Sequence, residues 1–173
     1  MVAGERVLIT GASGGVGSAA VQLAKRRGSE VTAMAGGDKA ESVRALGADY
    51  IIPRDADLVG LFGNGHFDAA VDVVGGAQFV GIINTLKRGG RYGVAGAISG
   101  PVVDLDLRTL YLKDLRLTGC TALELEVFPN LVRYIERGEI KPLVAATYAL
   151  AEIVEAQEAF LTKRHVGKIV LVD

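Results

Sequence analysis

The chain has 173 residues, is 50% hydrophobic and only 6% aromatic, and carries a formal net charge of −1. That length suffices for one domain with an aliphatic core, burying roughly 70% of the surface an unfolded chain exposes. The balanced charge, with no basic block, excludes a nucleic-acid footprint. No apolar run reaches membrane-span length and no signal-peptide pattern opens the chain, so neither nucleic acid nor membrane is an expected partner and a cytoplasmic location is expected. A single cysteine, Cys120, excludes an internal disulfide, and with His66 and His165 it makes a poor zinc set.

In chain order, Val7 to Thr10 is apolar throughout, as a parallel strand buried on both faces should be. A helix follows from Gly15 to Arg27, with Gly28 as its stop. Val31 to Ala35 reads as a second strand ending in Gly36-Gly37, after which Asp38 is expected to cap a helix over Lys39 to Leu46. Tyr50 to Ile52 is a short third strand ended by Pro53, and a weaker helix spans Asp57 to Phe62. Asp68 to Val74 is the fourth strand, followed by a helix over Gln78 to Lys87 and a turn at Arg88-Gly89-Gly90. The fifth strand is Arg91 to Ala95, and an irregular stretch runs through Gly100-Pro101. Leu115 to Gly119 alternates apolar and polar, as a sixth strand with one wetter face would. Helices are expected over Glu124 to Arg137 and Ala151 to Lys163, and Lys168 to Val172 closes the chain as a strand. Strand alternating with helix in this way predicts an α/β fold with a doubly wound parallel sheet covered by helices on both faces.

The stretch Gly11-Ala12-Ser13-Gly14-Gly15-Val16-Gly17 lies between the first strand and the first helix. Backbone N–H groups at a helix start lack intrahelical partners and carry the positive end of the dipole. Glycines let the backbone turn tightly and let a pyrophosphate approach without meeting a Cβ. Strand, glycine turn and helix therefore form a phosphate cradle at the carboxyl end of the sheet, where such folds bind dinucleotides. Ser13 to Gly17 are the expected pyrophosphate residues.

Two dinucleotide-binding families compete for this fingerprint. Thr10 to Gly17 satisfies the T-G-x-x-x-G-x-G pattern of short-chain dehydrogenases, which also need a tyrosine and a lysine one helical turn apart to lower the phenol's pKa. Tyr50, Tyr92, Tyr111, Tyr134 and Tyr148 are followed four places on by Arg54, Gly96, Leu115, Gly138 and Glu152, none of them lysine. The other family fits along nearly the whole chain. Gly4 to Ile9, Gly14 to Gly17, Ala20 to Lys25, Leu46 to Asp49, Asp72 to Gly76, Gly89 to Arg91 and Gly167 to Leu171 fall in the order and spacing of its motifs. In these stretches the sequence resembles the cofactor-binding domain of medium-chain dehydrogenases, on the quinone oxidoreductase side of that superfamily.

That resemblance implies a Rossmann sheet of order 3-2-1-4-5-6 with a nicotinamide dinucleotide across its middle. It implies a catalytic domain preceding the Rossmann strands, which this sequence lacks, so the chain reads as an excised cofactor domain. Residues 1–142 are then the NADP-binding part, and residues 143–173 a helix and strand that in the family return to the catalytic domain. Here that tail must pack elsewhere or be loosely held. By the same resemblance, Val74-Gly75 and Ala95-Gly96 line the dinucleotide groove. Asp72 recurs in the family motif inside a strand, leaving a structural role and a cofactor contact both open. Cys120 is expected to be a small buried residue, and Lys168 and His165 receive no catalytic role. Quinone oxidoreductases carry no catalytic zinc, so none is expected.

An acidic residue at the end of the second strand would favour NAD and repel a 2′-phosphate. That position is Ala35, and Gly36 and Gly37 leave room for a phosphate. Lys39 matches the lysine of the corresponding quinone oxidoreductase loop, and Arg54, where the family often has tyrosine, could engage the phosphate through its fork of donors. The expected cofactor is NADPH. The expected activity of an intact protein is hydride transfer to a quinone or an activated enone or carbonyl; the alternative is a module that binds NAD(P)(H) without chemistry. Family members pair the sixth strand with its two-fold copy, implying a homodimer through Leu115–Thr121 and the Val102–Leu112 stretch before it.

Overall fold

A computed structural model describes residues 1–121 and 124–173. Six strands form one parallel sheet: β1 (Arg6–Ile9), β2 (Glu30–Met34), β3 (Tyr50–Ile52), β4 (Phe67–Asp72), β5 (Leu86–Val94) and β6 (Arg116–Gly119). Their spatial order is 3-2-1-4-5-6, the order the resemblance implied. Successive side chains of a strand point to opposite faces, and β1 divides its residues accordingly. Val7 and Ile9 enter a cluster with Val21, Ala24 and Val31, whereas Leu8 enters one with Met34, Leu58 and Ile82. The Val7, Leu8 and Ile9 side chains are all fully buried, which is why the run is continuously apolar rather than alternating.

Helix α1 (Gly15–Arg26) and helix α2 (Ala40–Ala45) cover the first cluster through Val21, Ala24 and Val43. Helices α3 (Leu58–Phe62) and α4 (Phe79–Thr85) cover the second through Leu58, Phe79, Ile82 and Ile83. α1 stops where the glycine signal placed its stop: Gly28 takes a φ of +78° and donates its N–H to the Lys25 carbonyl at 2.8 Å. The Asp57 carboxylate caps α3 by accepting from the Gly60 N–H at 3.0 Å.

Several local expectations need correction. Asp38 is not a helix cap: Gly37–Lys39 form a 3₁₀ turn entered through Gly36, and α2 begins one residue after Lys39, with no side-chain cap. The fifth strand starts at Leu86 because Lys87 to Gly90 fold into an irregularity that shifts the register against β4. The stretch after Gly100 contains a helix, α5 (Leu107–Leu112), capped by Asp106, whose carboxylate accepts from the Arg108 N–H at 2.9 Å. Helix α6 (Val127–Glu136) is shorter than expected, although Gly138 follows it in the left-handed conformation, at φ +68°.

The last part of the chain is a unit of its own. A strand not expected from the sequence, β7 (Val144–Ala149), pairs in parallel with β8 (Lys168–Val172), and helix α7 (Ile153–Leu161) connects them. This tail packs on the glycine loop. Gly14 and Gly167 form a parallel bridge, and the Gly167 N–H donates to the Ser13 carbonyl at 3.0 Å. Just before the tail, the Gln22 amide donates to the Lys141 carbonyl at 2.9 Å and accepts from the Lys141 N–H at 2.7 Å, while Arg26 pairs with Glu139.

Candidate functional site

Close packing fixes the glycine loop before any ligand is considered. Gly11 has a φ of +57°, and a Cβ there would lie 2.7 Å from a methyl of Val73 and 2.9 Å from one of Val74. A Cβ on Gly17 would lie 2.1 Å from the Gly11 carbonyl oxygen, so the first turn of α1 can sit on the loop only without a side chain. The N-cap, Gly14, offers no side-chain acceptor, and the first turn of α1 holds no acidic residue. No side chain among the described residues caps this helix start, the kind of terminus that suits an anion.

The helix start faces a cleft of about 860 Å³ at the carboxyl ends of the strands. Of the residues expected to meet a dinucleotide, Ser13, Gly14, Gly15, Val16, Gly17, Lys39, Arg54, Val74, Gly75 and Ala95 all line it. Gly36 and Gly96 do not. Gly36 lies just behind the wall, where a Cβ would stand 2.8 Å from an Asp38 carboxylate oxygen and 3.7 Å from an Arg54 guanidinium nitrogen. Gly96 packs on the backbone instead, with its would-be Cβ 2.6 Å from the Val73 carbonyl oxygen.

Asp72 resolves into a structural role. It is fully buried, and one carboxylate oxygen accepts from the Thr10 hydroxyl at 2.6 Å, the Val74 N–H at 2.9 Å and the Gly75 N–H at 3.0 Å. The other oxygen accepts from the Tyr92 hydroxyl at 2.7 Å. Thr10 continues the chain of bonds by accepting from the Val73 N–H at 3.0 Å. Burial, together with the Asp72 carboxylate, pushes the Tyr92 phenol well above its ordinary pKa, which keeps it a donor. One carboxylate thus shapes the loop that carries Val74 and Gly75 to the cleft.

The opposite wall comes from the tail, and sequence reasoning missed it. Phe160, Lys163, His165, Lys168 and Ile169 line the same cleft. The Lys168 side chain lies directly over Gly15, where a Cβ would stand 2.1 Å from its Cε. Lys39 donates its ammonium to the Lys163 carbonyl, and the Lys163 ammonium lies 3.4 Å from the centre of the Phe160 ring. The His165 ring packs on Phe160 at 5.4 Å, with its Nδ1 buried and without a hydrogen-bond partner among the described residues. Burial, then the charges of Lys39 and Lys163, push its pKa below the ordinary value. The only signal in the sequence was the Gly167-Lys168 pair beside an apolar strand.

Cys120 also needs correction: it is exposed, directly after β6, whose outer side no other strand among the described residues covers. His66 stands beside Arg6 near the start of β4, far along the sheet from the cleft that holds His165. Among the described residues no group of three histidine, cysteine or acidic side chains could hold a metal ion. Among the described residues no helix is long and apolar enough to cross a membrane.

Residues 15–137, more than half of the chain, match the zinc-binding dehydrogenase family. The chain belongs to that family. Within it, an acryloyl-coenzyme A reductase of Sulfurisphaera tokodaii is 31% identical, over 97% of this chain and 51% of its own length. A thermostable alcohol dehydrogenase from Pyrobaculum aerophilum, solved with cobalt and zinc bound, is 36% identical with a TM-score of 0.88, covering 100% of this chain and 52% of that one. The 2-octenoyl-CoA carboxylase reductase CinF, solved with NADP and 2-octenoyl-CoA, is 32% identical with a TM-score of 0.89, covering 99% of this chain and 44% of that one. The chain spans about half the length of these relatives. What it shares with the zinc-binding dehydrogenases is their nucleotide-binding part, a Rossmann sheet with its glycine loop.

Proposed function

We propose that this chain is the NADPH-binding half of a medium-chain reductase that delivers hydride to a quinone or to an activated enone or carbonyl. One observation carries the reading: a single cleft joins the helix start at Gly15–Gly17, which no side chain caps, to a β2 end without an acid, flanked by Lys39 and Arg54. The pyrophosphate would lie on the amides of Gly15, Val16 and Gly17, with the Lys168 ammonium above Gly15 adding charge to the helix dipole. The 2′-phosphate would meet Lys39 and Arg54, with Lys163 nearby. Asp38 and Asp55 stand on the same side and are outnumbered. Val74, Gly75 and Ala95 would flank the nicotinamide end. When bound, the nicotinamide supplies the hydride; this chain's residues bind and orient it. The names of the acryloyl-coenzyme A reductase and of the NADP complex of CinF support an electron-poor double bond as the acceptor. The acceptor itself would be held by a catalytic domain outside this sequence, with residues 1–142 binding NADP and residues 143–173 standing at the junction.

The decisive measurement is calorimetric titration with NADPH and NADH. At about 4 Å and an effective dielectric of 20, one ion pair is worth roughly 4 kcal/mol before desolvation, and a quarter of that is a fivefold to tenfold preference. The native chain should favour NADPH by at least that factor. Lys39→Glu should weaken NADPH about tenfold and leave NADH nearly unchanged. Equal affinity of the native chain for the two cofactors refutes the NADPH assignment.

The same reading includes a homodimer. Among the described residues β6 pairs only with β5, and all four of its residues are exposed. The Leu107, Tyr111 and Leu112 side chains of α5, which precedes it, are exposed as well. An unpaired strand edge beside apolar surface is a template for a second copy. Sedimentation equilibrium at tens of micromolar should give the mass of two chains, and a persistent monomer refutes it.

A further inference from the structure

A second cavity, of about 200 Å³, lies at the opposite end of the sheet, where β4, β5 and β6 begin. Its wall carries Lys87, Arg88, Arg91 and Arg116 against only Glu5 and Asp68, an excess of two positive charges in a chain whose net charge is −1. The backbone builds it. Gly89 takes a φ of +74° and donates its N–H to the Lys113 carbonyl, and a Cβ on Gly90 would lie 2.8 Å from the Lys87 carbonyl oxygen. This tight fold of residues 87–90 brings Lys87 and Arg88 to the same opening as Arg91.

The two carboxylates are already engaged at both oxygens. Asp68 accepts from Lys87 at 2.6 Å and from the Arg6 N–H at 2.8 Å. Glu5 accepts from Arg91 at 2.6 Å and from the Val2 N–H at 2.8 Å. Arg91 spends one guanidinium nitrogen on Glu5, and the exposed Arg88 is tied to Asp114 at 2.8 Å. Arg116 makes no ion pair among the described residues, and it stands directly in register with Arg91 on the neighbouring strand. Two like charges side by side on adjacent strands repel. The cavity therefore holds guanidinium and ammonium donors in excess of acceptors, in the fork geometry that suits an oxyanion.

We infer that this cavity is a binding site for a small phosphate-type oxyanion, held between Arg91 and Arg116 with Lys87 at its edge. At about 30 Å³ for each water, the volume admits such an anion with part of its hydration. The site stands apart from the dinucleotide cleft and does not depend on how that cleft is read.

Amide NMR of the chain, titrated with inorganic phosphate against chloride at equal ionic strength, tests the site. Phosphate should move the Gly90, Arg91 and Arg116 signals along a saturating curve that chloride does not reproduce. Arg116→Gln should weaken that curve about tenfold or more, with the mass of the variant read by sedimentation under the same conditions so that loss of the site is told apart from a change of assembly at the β6 edge. Glycerol 3-phosphate acting on the same amides would identify a phosphoryl group on a larger molecule as the ligand, and its failure to act would identify free phosphate. Shifts confined to Gly14–Gly17, shifts that Arg116→Gln leaves unchanged, or no saturable shift at all would each overturn the assignment.

Discussion

Gly17→Ala is expected to abolish dinucleotide binding while leaving a folded, weakened protein. The added methyl would stand 2.1 Å from the Gly11 carbonyl oxygen, a backbone atom that cannot swing aside like the end of a long side chain. Either the first turn of α1 lifts off the loop or the Gly11 peptide rotates. Both moves displace the amides that face the cleft. Overpacking of this kind costs about 1–3 kcal/mol of stability, and the affinity loss is larger because the anion site depends on the alignment of several donors. A fall in NADPH affinity of at least about a hundredfold, roughly 2.7 kcal/mol, is the expected calorimetric result. Retention of affinity within a factor of about three would show that the loop does not hold the pyrophosphate. Gly15→Ala is the informative companion. Its methyl would meet the Lys168 side chain, which can move, so the fold should tolerate it better.

Asp72→Ala should be the most destabilising single change in this region. It leaves the Thr10 and Tyr92 hydroxyls and the Val74 and Gly75 N–H groups without an acceptor, at a position with no solvent access. Each buried donor left unpaired costs about 1–3 kcal/mol, and allowing for partial relaxation the sum is about 4–6 kcal/mol. Against a typical total of 5–15 kcal/mol, the variant should be marginally folded, and chemical denaturation would read the loss directly. Tyr92→Phe removes one donor from the buried carboxylate and keeps the ring packed at 5.3 Å from Phe79, so it should cost about 1.5–3 kcal/mol. If Asp72→Ala costs no more than Tyr92→Phe, the carboxylate is not organising the loop.

The central sheet was legible because parallel strands buried on both faces announce themselves as short apolar runs between turn signals. Val7-Leu8-Ile9 is the clearest case, and the order of the sheet followed from family resemblance rather than from periodicity. α5 escaped because six residues give too little periodicity, and only the Asp106 cap marked its start. β7 escaped because Val144-Ala145-Ala146-Thr147-Tyr148-Ala149 shows no alternation, and it pairs only with a strand more than twenty residues later. The cap assigned to Asp38 failed because Gly36-Gly37 let the chain make a 3₁₀ turn first. Cys120 was expected inside because small residues near strand ends usually are, but an edge strand has no neighbour to cover it.

Within the cleft, the glycine loop was legible from local pattern, whereas Val74, Gly75 and Ala95 at the β4 and β5 ends came from the family resemblance. The tail wall was legible from neither. Phe160, Lys163 and His165 carry no motif of their own and acquire a place in the cleft only through contacts with residues more than a hundred positions earlier.

The bridge between Gly14 and Gly167 also sets the order in which the protein can be completed as it is made. Most of the sheet can form once β5 has emerged, because its strands need only one another. The Ser13 carbonyl, by contrast, finds its partner only when Gly167 has been synthesised. At about 5–20 residues per second, that interval is roughly four to fifteen seconds. During it the nascent chain holds a nearly finished sheet with the glycine loop open on one side.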